Sequence, residues 1–233
     1  RNRSRCRLDW WGKGVWEATI HNPCTDVIHI NRDTTISHSA LSFCDIMIDS
    51  LYTMTITGCL SMGPDAKIMI HQGAKLVLDG GTITGYNSQM WKGIEVYGRS
   101  SKSQSPASNQ GWFKAMNNAV IENATVGVAT IKTARSYDYT CTGGIIQANN
   151  TIFRNCSQSV MFYPFENRNQ FGSIYGNVSG FSNCTFEINN YYTGADTIKN
   201  IVSLDQVRGV DFGACIFVNS CTSALADSIT GLY

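Results

Sequence analysis

Two stretches of the chain are copies of one pattern. Laid over residues 67–80 at an offset of 22, residues 45–58 repeat Ile46-Met47-Ile48 as Ile68-Met69-Ile70. The same offset sets Met54 and Ile56 on Leu76 and Leu78, and Gly58 on Gly80. In each copy apolar residues recur at every second position, the period of a strand with one row of side chains inward and the next outward. Two short strands joined by a turn cannot bury an apolar row alone, so successive copies must stack and share one core, which is the mark of a solenoid. The offset joins like to like in one direction. Stacked strands are therefore parallel, and the coil is expected to be right-handed, as parallel crossovers nearly always are. On the outward row Asp45, Asp49, Thr53 and Thr57 face Lys67, His71, Lys75 and Asp79, so two of the four columns bring opposite charges together.

From residue 119 the period lengthens to about 32, but the unit persists. Residues 119–128 match 151–160, which recur as 215–224, while 184–189 align their Phe and carry one extra residue before the Asn. That extra residue reads as a bulge. This register makes Ile121, Phe153, Phe186 and Phe217 an interior column, sets Cys184 over Cys215, and stacks Asn123, Asn155 and Asn219 at a turn. Stacked Asn residues pass amide hydrogen bonds along a solenoid and tolerate left-handed backbone. The longer period is expected to come from loops at 99–116, 134–142, 164–172 and 190–199, gathered on one side.

Composition agrees with strands and turns. Ile and Val number 35 against 9 Leu, beside 21 Gly, 20 Thr, 19 Asn and 5 Glu. β-Branched residues suit a pleated half-buried surface, and good helix formers are scarce. The fold class expected is all-β, a single-stranded parallel β-helix over 26–233. Residues 1–25 do not repeat, are basic and carry Trp10, Trp11 and Trp16, so they read as an N-terminal cap over an open solenoid end. With 43% apolar and 15% charged residues the chain folds rather than staying disordered, and a net charge of +1 gives no field for nucleic acid. No apolar run is long enough to span a membrane. The chain starts at Arg1 without Met, which reads as a processed form or an excerpt.

Nine cysteines include no CxxC pair, and the four histidines show no ligand spacing, so no metal site is expected. Small apolar Cys in the core is the default reading, with at least one thiol unpaired.

The segments 64–76, 79–82, 90–98, 109–111 and 119–124 resemble the right-handed parallel β-helix proteins of the pectin-lyase-like superfamily. More narrowly, they look like large surface proteins of Bacteroidota that use type IX secretion. The run Trp91-Lys92-Gly93-Ile94-Glu95-Val96 is the most specific of these. The resemblance implies an extracellular or outer-surface location, an elongated scaffold, and export through the secretion machinery by a sorting domain that this sequence does not match. It supplies no activity, because members range from lyases to adhesins.

A polysaccharide lyase would need carboxylates on neighbouring coils for Ca²⁺ plus an Arg or Lys base, and a hydrolase two or three carboxylates close together. The candidates are Asp205, Arg208 and Asp211, expected over Ile174, Asn177 and Gly180. Their acidic positions do not repeat, and an ordinary polar face is the stronger reading. Aromatic residues are the better functional hint. Trp91 at a strand start, Trp112 and Phe113 in a long loop, and Tyr191 and Tyr192 in another are expected at the surface, to stack on sugar rings, contact a cell-surface protein, or plug loops onto the coil. The expected function is a non-enzymatic exported scaffold or adhesin with contacts through its loops. The alternatives are a polysaccharide lyase or glycoside hydrolase, and a cargo or partner captured with a secretion complex.

Overall fold

The computed structural model describes residues 24, 26–133, 137–195, 198, 200–222 and 230–232. The chain coils into three parallel sheets of eight, seven and seven strands, here A, B and C, and each coil contributes one strand to each sheet in turn. One coil is Lys67–Ile70 in sheet A, Lys75–Asp79 in sheet B and Thr82–Gly85 in sheet C. The next is Trp91–Val96, Trp112–Met116 and Ala119–Glu122. This is a parallel β-helix. No helix among the described residues is long and apolar enough to cross a membrane.

The repeat read from sequence is the physical register. Ile46 pairs with Ile68, Met47 with Met69 and Ile48 with Ile70, while Met54 and Ile56 pair with Leu76 and Leu78. All of these except the two outward Met residues lie in one continuous buried core. The two-strand unit is incomplete, however. Each coil also has a sheet C strand, such as Cys59–Met62, which the first-half repeat leaves out. The second-half repeat runs from that same sheet into sheet A, so the two sequence patterns follow different pairs of faces of one three-sheet coil.

The Phe column is confirmed by pairings of Ile121 with Phe153, Phe153 with Phe186 and Phe186 with Phe217. The last three rings stack at centroid spacings of 5.0 and 4.8 Å with planes 10° apart. At the turn after sheet C, Asn123 and Asn155 take left-handed backbone, with φ of 57° and 51°. The Asn155 amide donates to Asn189 Oδ1 at 2.9 Å, and Asn155 Oδ1 accepts the Asn189 backbone N–H at 2.9 Å. The extra residue thus shifts Asn189 without breaking the ladder. A second left-handed column, with Asn150 and Asn183, marks the turn from sheet B to sheet C.

The outward charges arrange themselves differently from the sequence columns. Asp45 accepts the backbone N–H of Lys67 at 3.0 Å, while the Lys67 ammonium reaches Glu95 two strands from Asp45. Asp49 pairs with His29 and Ser50 with His71, both at 2.9 Å. On sheet C, Arg154 bridges Glu187 at 3.0 Å and Glu122 at 3.4 Å, tying three coils.

Insertions do not all share one edge. Those following Trp91–Val96, Ala124–Ala129 and Gln158–Phe162 lie between sheets A and B, whereas the loop after Thr185–Ile188 lies between C and A. The A-to-B loops are bonded to one another through Gln104, which is 2% exposed. Its amide donates to the Gly143 carbonyl and to Asn177, each at 3.1 Å, and its oxygen accepts the Val178 N–H at 2.8 Å. The expected cap at 1–25 lies outside the described residues apart from Cys24, which forms a disulfide with Cys44. Cys59 is also disulfide-bonded. These two cases correct the reading of the cysteines as core thiols. Cys156 and Cys184 do follow it, being free and buried.

Candidate functional site

The outward face of a β-helix sheet is normally polar, but sheet A carries a partly apolar column. Met69, Glu95, Ala129 and Met161 pair in succession across four coils. A bulge sets the register there. Gly93 pairs with Val126 but Ile94 with Val128, and Gly93 has a φ of +108° with its Cα facing the Val126 carbonyl, where any side chain would collide. Bulges re-aim the residues that follow. Here it sets Ala129 beside Glu95, whose carboxylate stands in an apolar row in register with Met69.

An antiparallel pair, Lys132–Thr133 with Tyr137–Asp138, rises beside this row. Between it and sheet A lies a cleft of about 390 Å³, floored by Ile94, Val126, Ala129 and Met161 and walled by Tyr137 and Tyr163. The two rings lie 5.3 Å apart, with Tyr139 6.4 Å from each. Lys67, Lys92 and Glu95 form the polar end. Lys92 reaches Asp65 at 3.6 Å and stays half exposed.

Glu95 is 6% exposed and fully engaged. Its Oε1 accepts from Lys67 Nζ at 2.9 Å and from the Thr133 hydroxyl, and its Oε2 accepts from Tyr97 at 2.8 Å. Lys67 Nζ also donates to the Thr133 carbonyl at 2.8 Å. A buried ion pair holds only when its remaining hydrogen-bonding positions are filled, and this one is filled by the wall strand, which it fastens to the sheet. Burial, then the Glu95 charge beside it, holds the Tyr97 phenol well above its usual range. Burial and a hydrogen bond with Tyr137 do the same for Tyr163. Both phenols stay neutral donors at physiological pH. Cys141, at the foot of the same loop, has its thiol pushed up, chiefly by burial, which is the reverse of an activated nucleophile.

The chemistry follows from this inventory. Glu95 is the one carboxylate lining the cleft among the described residues. Hydrolysis of a glycosidic bond uses two carboxyl groups, one free to exchange a proton with the substrate. Neutral phenols, an apolar floor and a half-exposed ammonium suit binding instead. Aromatic rings stack on the C–H faces of sugars, and Tyr adds a hydroxyl that hydrogen-bonds at the rim.

The aromatic residues singled out from sequence fall into three groups. Trp91 and Phe113 are both 0% exposed, correcting the expectation of surface rings. Trp91 packs in the core and donates its indole N–H to the Glu122 carbonyl at 3.0 Å. Phe113 points inward because 112–116 is a sheet B strand rather than part of a loop, and Trp112 points outward with the Lys75 ammonium 3.8 Å from its ring centre. Tyr192 bonds Ser157 at 2.7 Å and packs its loop down, while Tyr191 is 71% exposed. Asp205, Arg208 and Asp211 are all exposed. Arg208 lies over Asn177 and Asp211 over Gly180 as expected, but Asp205 follows a strand paired to Phe162 and bonds that residue's carbonyl, because the whole insertion at 164–179 intervenes before Asn177. Among the described residues no ion pair joins the three.

Sequence reasoning missed Glu95 as a site residue, together with Tyr137 and Tyr163. Two signals were present. Glu95 is one of only 5 Glu in the chain and sits in an outward strand position, and Tyr137 and Tyr139 stand two residues apart within the insertion at 134–142. Among the described residues no group of three or more His, Cys, Asp or Glu is arranged to hold a metal ion. Compared with protein-family models, curated proteins and solved structures, the chain matches none.

Proposed function

We propose that the protein is an exported, cell-surface β-helix scaffold that binds saccharide in the tyrosine-walled cleft of sheet A without cleaving it. The observation carrying this reading is the state of Glu95. Both its oxygens are committed to Lys67, Thr133 and Tyr97, so the carboxylate builds the cleft wall and leaves Tyr137, Tyr163 and Lys92 to meet the ligand. The pectin-lyase-like and Bacteroidota type IX resemblance of the sequence supports an extracellular location, and so does the Cys24–Cys44 disulfide, since such bonds persist in oxidising compartments.

Titration calorimetry against a panel of neutral and acidic oligosaccharides tests the reading. Tyr137→Ala is expected to weaken binding about tenfold, the equivalent of roughly 1.4 kcal/mol. An affinity unchanged by Tyr137→Ala, or a panel with no binder, refutes it. The second reading, a polysaccharide lyase or hydrolase working in this cleft, has one observation in its favour, a carboxylate in the wall. Unsaturated or reducing ends that appear with the protein and vanish with Glu95→Gln would establish it. The same ends lost instead on joint replacement of Asp205, Arg208 and Asp211 would move the chemistry to those residues.

A further inference from the structure

Cys184 and Cys215 are free thiols on adjacent coils. They occupy the same place before successive sheet C strands, since Thr185 pairs with Ile216 and the Ile216 N–H donates to the Cys184 carbonyl at 2.9 Å. Each thiol donates to nearby carbonyls, Cys184 to Ser182 at 3.4 Å and Cys215 to Phe181 and Gly213 at 3.6 Å. Neighbouring parallel strands lie about 4.8 Å apart, inside the Cα separation of roughly 4.4–6.8 Å that a disulfide spans. Coils below fill this column with residues that cannot cross-link: Thr185 pairs with Ile152, which puts Thr151 beneath Cys184, and Thr151 pairs with Ala119. The strand that Cys215 precedes, Ile216–Asn219, is the outermost described strand of its sheet, with Ile216 58% and Phe217 37% exposed.

We propose that Cys184 and Cys215 are a cross-linking site, closed by a disulfide-bearing oxidant into an inter-coil staple that fastens the outermost described strand of sheet C to its neighbour. The half-buried Cys215 thiolate attacks one sulfur of oxidised glutathione, forming a mixed disulfide and releasing one glutathione thiolate. The Cys184 thiolate then attacks Cys215 Sγ, closing the bond and releasing the second. Two protons leave the protein, and its two electrons reduce one glutathione disulfide to two thiols. Burial holds the Cys184 thiol up at about 11, so the second step quickens as the pH rises.

The test is a disulfide map of the purified protein after oxidised glutathione at about pH 8.5, followed by denaturation, alkylation and proteolysis. A peptide pair joined through Cys184 and Cys215 is expected, with an intact mass about 2 Da lower, and a Tm higher by roughly 5–10 °C than the dithiol form. Cys215→Ser should lose both the linked pair and the Tm gain while keeping the circular dichroism of the β-helix. If both thiols are found alkylated while Cys24–Cys44 stays linked, or if Cys215 is joined elsewhere, the proposal fails. The map of the unmutated protein decides this even where a variant does not fold.

Discussion

Removing the Lys67 ammonium should cost more stability than any surface charge on this protein, and removing its partner as well should restore most of it. Lys67→Met leaves the Glu95 carboxylate inside a wall where it is 6% exposed, with Tyr97 and Thr133 as its remaining donors, and leaves the Thr133 carbonyl without its ammonium. Breaking a buried pair by taking one partner costs about 3–5 kcal/mol. Two hydroxyl donors stay in place, which puts the expected loss at the low end, about 3 kcal/mol, or roughly 6–12 °C in Tm for a chain of this size. In Lys67→Met/Glu95→Gln no charge is buried and the Gln oxygen still accepts from Tyr97, so the double variant should lie within about 1.5 kcal/mol of the parent. Urea melts of the parent, both single variants and the double variant give the coupling energy directly. Single variants that each lose less than about 1 kcal/mol, or losses that simply add, would refute the claim that this pair fastens the cleft wall.

Three further outcomes follow from the column geometry. Phe186→Ala opens a hole between two rings stacked at 5.0 and 4.8 Å and should lower stability by about 3–5 kcal/mol by urea melt, against less than 1 kcal/mol for Tyr191→Ala. At Asn155, where φ is 51°, replacement by Gly loses the amide bonds to Asn189 but keeps the backbone at ease, so Asn155→Ala should be the more destabilising of the two by about 1 kcal/mol. Burial opposes the charge of Glu187, but hydrogen bonds from Asn189 and Arg154 prevail and hold its carboxyl below the ordinary 4.5. A depressed acid adds stability above its unfolded value and withdraws it as pH falls through the folded one. Tm should therefore drop on acidification below about 4.5, and the drop should be shallower in Glu187→Gln.

The fold was legible because a solenoid writes its spatial neighbours into the chain at fixed offsets. Ile46 meets Ile68, and Phe153 meets Phe186, with no long-range information beyond the period. Asn155 was legible for the same reason, since Asn123 holds the same left-handed turn one coil earlier. What the period does not repeat was hidden. Glu95 stands at an ordinary outward position beside Met69, but the bulge that sets Ala129 next to it occurs in one coil, and its partner Thr133 comes from an insertion. Trp91 and Phe113 look alike to a search for exposed rings, yet both point inward, because alternation within a strand decides which side of the sheet a ring occupies and the strand 112–116 lies inside the stretch expected as a loop. The insertion at 164–179 displaced Asp205 from its expected neighbour in the same way.

Proton–proton contacts between isoleucine δ1-methyl groups, measured by NMR on protein labelled only at those methyls, test the stacked register most directly. The structure requires Ile46 to touch Ile68 and Ile68 to touch Ile94, with a parallel series linking Ile48 and Ile70. A spectrum lacking the Ile46–Ile68 contact, or one joining Ile46 to Ile70 and Ile48 to Ile68 as an antiparallel pairing would, contradicts the stacked coil and every placement derived from it.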